Sequence, residues 1–229
     1  MGRVKVFGVG VRKPHLSPED FHDHWRHPHG TWGLHMTTLR GYVQSHQIHT
    51  DLLGPEQARY ELVAELWFDN EADLHGFRTE PVLVKYLLSD EPNFTDMTQN
   101  IMLATQEEVL TSGPTPNASL NPGDDMWSPQ NRPLSVKLLH FVGRDSSREW
   151  AKSNDATLSR SLGALRHVRC HPISPHLGGE PRFLGVQELW WPTARAFRTG
   201  ALLAPQSLAE LIADSGASVT MLVQAERFF

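Results

Sequence analysis

Apolar residues alternate with polar ones in several short runs of the chain, while longer runs place them three and four apart, so strands and helices can be told apart by period. "VKVFGVGV" (4–11) is β-rich, and "SPEDFHDHW" (17–25) then opens a helix. Ser17 suits the N-cap, Pro18 the first helical position, and Glu19 and Asp20 the positive end of the helix dipole. "YVQSHQIH" (42–49) and "YELVAELWF" (60–68) read as strands, residues 70–88 as a helix broken near Pro81, and 101–109 as a closing strand. After a stretch rich in Pro, Gly, Asn and Ser the grammar returns. It gives a strand at 134–142, a helix near 147–163, strands at 166–173 and 183–191, a short helix around 205–214 and a strand at 218–227.

The two halves also match in wording. "GYVQSH" (41–46) parallels "RHVRCH" (166–171), "AELWF" (64–68) parallels "QELWW" (187–191), "GFRTE" (76–80) parallels "AFRTG" (196–200), and "MLATQEE" (102–108) parallels "MLVQAER" (221–227). The matches keep their order, which marks a duplication. Each half reads β-α-β-β-α-β, the ferredoxin-like pattern of the α+β class. Such a unit covers one sheet face with helices and leaves the other in need of a partner. The expected architecture is therefore two tandem units packed sheet to sheet as an intrachain α+β barrel. Residues 1–110 would form the first unit, 111–133 the linker and 134–229 the second.

Composition narrows the functional classes. The 229 residues carry a net charge of −5 and one cysteine, Cys170, so no broad basic footprint marks nucleic acid and no intrachain disulfide or cysteine-based zinc site can form. No apolar run is long enough to span a bilayer, and the first residues lack a signal-peptide pattern. The expectation is a cytoplasmic protein acting on a small molecule as a pseudo-dimeric monomer or a homodimer. No nucleic-acid or membrane partner is expected. There is no glycine-rich phosphate loop and no nucleophile-elbow motif.

Histidine is the unusual feature. His15, His22, His24, His27, His29, His35, His46 and His49 all fall in the first fifty residues. On a helix starting at Pro18, Phe21, Trp25, Trp32 and Met36 share a face with His24 and His29 beside them, until Pro28 interrupts it. His22 and His27 are then expected in solvent. On the following strand Tyr42, Gln44, His46 and Ile48 share one face. A helix bearing Trp25, Trp32, His24 and His29 laid over that face would wall an aromatic pocket with convergent polar groups, the usual make-up of a small-molecule site. His29 is the expected general acid or base, His46 its partner, and Tyr42 a hydrogen-bond donor to a developing oxyanion. Gln44, Trp67, His24 and Asp96 complete the expected substrate-binding set with Trp25 and Trp32. The alternative for each is ordinary core or turn packing. Metal binding is not expected, because alternate histidines on one helix point about 200° apart and no metalloprotease spacing occurs.

The segments "VRKPHLSPEDFHDHWRHPHG", "GYVQSH", "VAELWFDNEADLHGF" and "SDEPNFTD" together resemble the EthD family of the dimeric α+β barrel superfamily. The resemblance covers residues 4–110 well and the second half through the repeat. It implies a cofactor-independent enzyme acting on an aromatic, polyketide-like or lactone-like molecule. That superfamily includes isomerases, cyclases, dehydratase- and decarboxylase-like enzymes and quinol monooxygenases, and a haem-binding histidine occurs within it. The first half is also similar to muconolactone-type isomerases, whose helix histidine and strand tyrosine map to His29 and Tyr42. Where those isomerases carry a cysteine before the strand tryptophan, this chain has Leu66. A lyase or isomerase is the leading expectation, an EthD-type oxidoreductase or quinol monooxygenase the next, and a non-catalytic binding protein the third. The second unit places Ala156, Thr157 and Leu158 where His29 would be, and is expected to be structural.

Overall fold

The computed structural model describes residues 2–113, 123–129, 132–144, 150–173, 180–213 and 217–229. The first half runs β1 (Val4–Gly10), α1 (Pro18–His24), α2 (Thr31–Gly33), β2 (Gly41–Ile48), β3 (Leu62–Phe68), α3 (Glu71–Phe77), α4 (Leu88–Phe94) and β4 (Ile101–Ser112). The second half runs β5 (Leu134–Gly143), α5 (Asp155–Ser161), β6 (Arg166–Pro172), β7 (Phe183–Trp191), α6 (Ala194–Leu203), α7 (Pro205–Leu211) and β8 (Val219–Arg227). Among the described residues these strands form one closed barrel in the order β1-β3-β2-β8-β5-β7-β6-β4.

Each half therefore contributes four neighbouring antiparallel strands with the second and fourth at its margins. β2 pairs with β8 and β4 with β6, both antiparallel. The expected sheet-to-sheet packing is corrected in this respect: the halves are hydrogen-bonded edge to edge. A strongly twisted four-stranded sheet has two bare edges, and closure satisfies all of them at once. β4 also runs on to Ser112, so Thr111 and Ser112, read from sequence as the start of the linker, belong to the seam with β6. Farther on, Trp127 is buried against Leu165 and Trp190.

Period two divides every strand between barrel lumen and helix layer. Phe7, Val9, Val63, Leu139, Phe141, Val186, Met221 and Val223 form one lumen core. Above it the lumen is ionic. Lys5 on β1 pairs with Glu65 at 2.7 Å and, at closer range, with Glu188, while Lys137 on β5 pairs with Glu65 at 2.5 Å and with Glu188 at 3.5 Å. All four side chains are fully buried. Ser45 donates to Glu65 at 2.6 Å, Cys170 donates to Glu188 at 3.2 Å, and the Lys137 ammonium lies 3.6 Å from the Trp190 ring centroid. The glutamates are the repeated residues of "AELWF" and "QELWW", so each half supplies one lysine and one glutamate.

The helix layers differ between halves. In the second, Leu158, Leu162, Trp191, Phe197, Leu208 and Leu211 fill the space over the sheet. The Trp150 indole also closes over Gly185, where a Cβ would come within 2.3 Å of the ring. "ELWWPTARAFR" continues β7 into α6, with Trp190, Trp191 and Phe197 buried. Arg169 is also buried and pairs with Asp155 at 2.8 Å. α6 crosses the end of α5 so tightly that a Cβ on Gly200 would sit 1.9 Å from the Leu162 carbonyl oxygen. Gly200→Ala should therefore destabilise the fold by about 1–3 kcal/mol, read as a lower denaturant midpoint; an unchanged midpoint would show that α6 shifts freely.

Candidate active site

In the first half the corresponding space is open. A cavity of about 360 Å³ lies between the helix layer and the outer faces of β1, β2, β3 and β4. Leu62, Ala64 and Leu66 form its floor, Leu83, Leu87 and Phe94 part of its roof, and Met97, Asn100 and Met102, all exposed, an opening. Its polar groups are few, and they include His29, Tyr42, Arg78 and Glu91.

Local sequence chemistry positions His29. Ser17 caps α1 by accepting from the Asp20 amide at 3.0 Å, as its type suggests. The helix then breaks ahead of Pro28: His27 leaves helical geometry (φ −150°, ψ 123°), and Trp25–Gly30 forms a widened, kinked turn. Five residues on a regular helix are out of phase by about 140°, yet His24 and His29 reach the same carboxylate because the kink re-phases the chain between them. His24 Nε2 lies 2.9 Å from Asp90 Oδ1, and His29 Nδ1 lies 3.0 Å from Asp90 Oδ2. The Phe94 ring packs against both imidazoles at 4.9 Å.

Asp90 and Glu91 are neighbours with opposite environments. Burial works to raise the Asp90 carboxyl, but hydrogen bonds from His29 and His24 outweigh it and hold it below its ordinary value. Burial pushes the Glu91 carboxyl up, with His29 opposing and the Asp90 charge adding to the rise. Asp90 is thus a fixed carboxylate, and Glu91 the carboxyl that burial pushes toward its neutral form. With Asp90 accepting from Nδ1, the Nε2 of His29 is left for the cavity. A base and a carboxyl raised by burial, facing one apolar space, form the kind of pair that can divide acid from base roles.

Tyr42 lines the cavity as expected, its hydroxyl accepting from Gln44 Nε2 at 2.7 Å. Burial raises the Tyr42 phenol well above its ordinary value, so it stays a neutral hydroxyl. The Tyr42 ring also packs against Gly33, where a Cβ would lie 2.8 Å from it. Trp25 lines the cavity too.

The other expected residues lie elsewhere. Gln44 is on the predicted face of β2 but sits beneath the helix, donating to the Trp25 carbonyl at 2.7 Å. His46 shares that face yet lies outside the cavity lining, with Nδ1 2.8 Å from His22 Nδ1. Burial, and after it the neighbouring His22 and Arg26, pushes the His46 imidazole down to about 2. It stays neutral at ordinary pH, and the partner expected of it for His29 is supplied by Asp90. His22, expected in solvent, is half-buried by this contact, whereas His27 is exposed beside Thr31. Trp32 stacks on Tyr86 at 5.6 Å on the outside of the helix layer. Trp67 falls on the lumen phase of β3, its ring under the Lys5 ammonium at 4.4 Å. Asp96 is a turn residue that accepts from Thr98 and Gln99.

Asp90, Glu91 and Arg78 were not singled out from sequence. "SDEPNFTD" reads as a loop because of Pro92, but α4 runs through it to Phe94. A helix carried across the proline would have shown Asp90 turned toward the histidine segment. The described residues that could group around a metal ion are Glu107, Cys170 and Glu188, and there the Lys5 ammonium already contacts both carboxylates. Among the described residues, no helix is long and apolar enough to cross a membrane.

Comparisons with known proteins bear on the domain and the fold. Residues 13–98 match the family model of the EthD domain. No curated protein matches the sequence. Among solved structures the chain is similar to an anthrone oxidase-like protein, at 13% identity over 99% of this chain and 94% of that one, with a TM-score of 0.57. It is similar to a candidate monooxygenase from Fusobacterium nucleatum subsp. nucleatum at 5% identity over 99% and 95% of the two chains, TM-score 0.55. A candidate chlorite dismutase matches at 8% identity over 98% and 95%, TM-score 0.52. At these identities the likeness is one of fold, and it extends over both halves of the barrel. Residues 13–98, which match the EthD domain model, supply His29, Arg78, Asp90 and Glu91, and the whole chain shares the α+β barrel fold of these structures.

Proposed function

We propose that the chain is an enzyme that uses His29 to remove a proton from a small aromatic molecule held in the first-half cavity, and that dioxygen then oxidises the resulting anion. The observation that carries this reading is the His29–Asp90 contact at the wall of an otherwise apolar cavity. Asp90 fixes the proton on Nδ1 and leaves Nε2 as a base, an arrangement that orients an imidazole and stabilises its charged form once the proton has moved. In this reading Tyr42 and the Glu91 carboxyl, which burial pushes up, donate hydrogen bonds to the oxygen that takes up the substrate's charge.

The oxidative outcome is favoured over the lyase or isomerase expected first because the fold neighbours are named as oxidase-like, monooxygenase and chlorite dismutase proteins. For an anthrone-like ring, a CH₂ group becomes C=O: one atom of O₂ enters the product, and the other leaves as water with the two hydrogens removed. Glu91 beside His29 favours a second reading, in which the same first step ends in isomerisation or dehydration. The whole chain is read as two fused ferredoxin-like units. Residues 1–110 carry the site, 111–133 connect, and 134–229 complete the barrel with their helix-side space filled.

Dioxygen uptake with anthrone and with hydroquinone-type aromatics separates these readings. Oxidation predicts uptake of one O₂ per anthrone converted, above the rate in buffer and lost in His29→Gln. Conversion that proceeds equally without oxygen would replace oxidation by proton transfer. Binding with no conversion of either kind would leave a carrier and overturn the enzyme reading.

A further inference from the structure

The repeat pairs Arg78 of "GFRTE" with Arg198 of "AFRTG", and the two arginines have different fates. Arg198 is engaged by Asp51, with both guanidinium nitrogens donating to the two carboxylate oxygens, the longer contact at 3.0 Å. Arg78 follows the last turn of α3 and lines the cavity while exposed to solvent, so it stands at an opening. Its guanidinium makes no hydrogen bond or ion pair within the described residues. A cation at a helix C-terminus is stabilised by the last carbonyls, but here the Gly76 and Phe77 carbonyls accept from the Arg78, Thr79 and Glu80 backbone N–H groups and the Thr79 hydroxyl. The carboxylates nearest in sequence are committed elsewhere. Glu80 accepts from Thr37 and Thr38, and Asp73 caps α3 with Asn70.

The remaining cavity is apolar apart from the groups assigned above, so an unengaged guanidinium is its one fixed positive charge. A planar fork of donors recognises carboxylate-like groups with two parallel hydrogen bonds. We infer that Arg78 selects substrates by an anionic group, so that the cavity takes an aromatic acid with its ring against Ala64, Leu66 and Phe94 and its carboxylate or equivalent oxyanion at the Arg78 opening. This rests on the cavity being the substrate site, and it adds the class of molecule. Glu91 does not oppose it, since burial favours the uncharged form of that carboxyl.

Displacement of a neutral fluorescent aromatic, N-phenyl-1-naphthylamine, tests the inference without any turnover. 1-Naphthoate should displace it at about tenfold lower concentration than 1-naphthalenemethanol, the scale of one charge-assisted contact. Arg78→Gln should erase the difference, and Arg78→Lys should keep part of it. Binding of the neutral probe should be the same in all three proteins, which also shows that they fold. His29→Gln should retain the preference for naphthoate while losing turnover, so failure of the catalytic reading and failure of this one look different. Equal displacement by acid and alcohol in the parent, a preference that survives Arg78→Gln, a preference lost in His29→Gln, or no binding of the neutral probe would each overturn it.

Discussion

Lys137→Met should lower stability by about 3–5 kcal/mol, the range for removing one partner from a buried ion pair. The loss has a specific origin. With Lys137 gone, Glu65 and Glu188 are left sharing Lys5 inside a lumen where all four side chains are fully buried. Chemical denaturation measures this directly, and a change below about 1 kcal/mol would mean that water or rearrangement compensates the stranded carboxylate. The charge-balanced double variant Lys137→Met with Glu65→Leu should recover much of the loss, because a neutral pair of similar volume no longer requires desolvated charge. Acid should act on the same network. Burial alone would raise the Glu65 carboxyl, but Lys137 and Lys5 outweigh it and hold it at about 2, against an ordinary value of 4.5. A depressed folded value means that this contribution is complete above about 4.5 and is lost as pH falls towards 2. The parent should lose stability steeply across that interval, and the charge-balanced variant less so.

His29→Gln should reduce turnover by about 10²–10⁴-fold with a much smaller change in substrate binding, as expected for loss of a general base. Glutamine approximates the shape but cannot accept and hold the proton. Asp90→Asn should give a smaller loss, since it removes the carboxylate that fixes the Nδ1 proton and leaves the imidazole in place. His27→Gln should leave turnover intact, because His27 is exposed and its ring contacts Thr31. Steady-state kinetics on whichever aromatic substrate shows conversion would check all three. If His27→Gln proved as damaging as His29→Gln, the assignment of the histidines would fail.

Much of this architecture is legible along the chain because period two and helical spacing are local properties. The face of β2 holding Tyr42, Gln44 and His46 was readable, and so were the N-cap at Ser17 and the break at Pro28. What period cannot supply is where a given face meets the cavity. Tyr42 lies over the open part, whereas His46, four residues on, lies beside the seam between halves, where His22 and Trp25 cover it. The partner of His29 was missed for a similar reason. Asp90 stands sixty-one residues away on a helix that Pro92 argues against. The ionic lumen was hidden in plain view. Lys5 and Lys137 each interrupt an apolar strand and would ordinarily be placed in solvent, but the carboxylates that neutralise them come from β3 and β7 across the barrel. Only closure of the sheet brings those four residues together.

The lysine and glutamate supplied by each half make the two halves chemically self-complementary as well as complementary to each other. A severed first half would present an uncovered lumen with one positive and one negative charge and two bare strand margins, β2 and β4, and so would its own duplicate. Electrostatics and hydrogen bonding at the seams would thus accept two cavity-bearing halves as readily as one of each kind. Carrying both halves on a single chain removes that choice. Every molecule made contains one half that keeps its helix-side space open and one that fills it, a stoichiometry enforced by translation rather than by recognition.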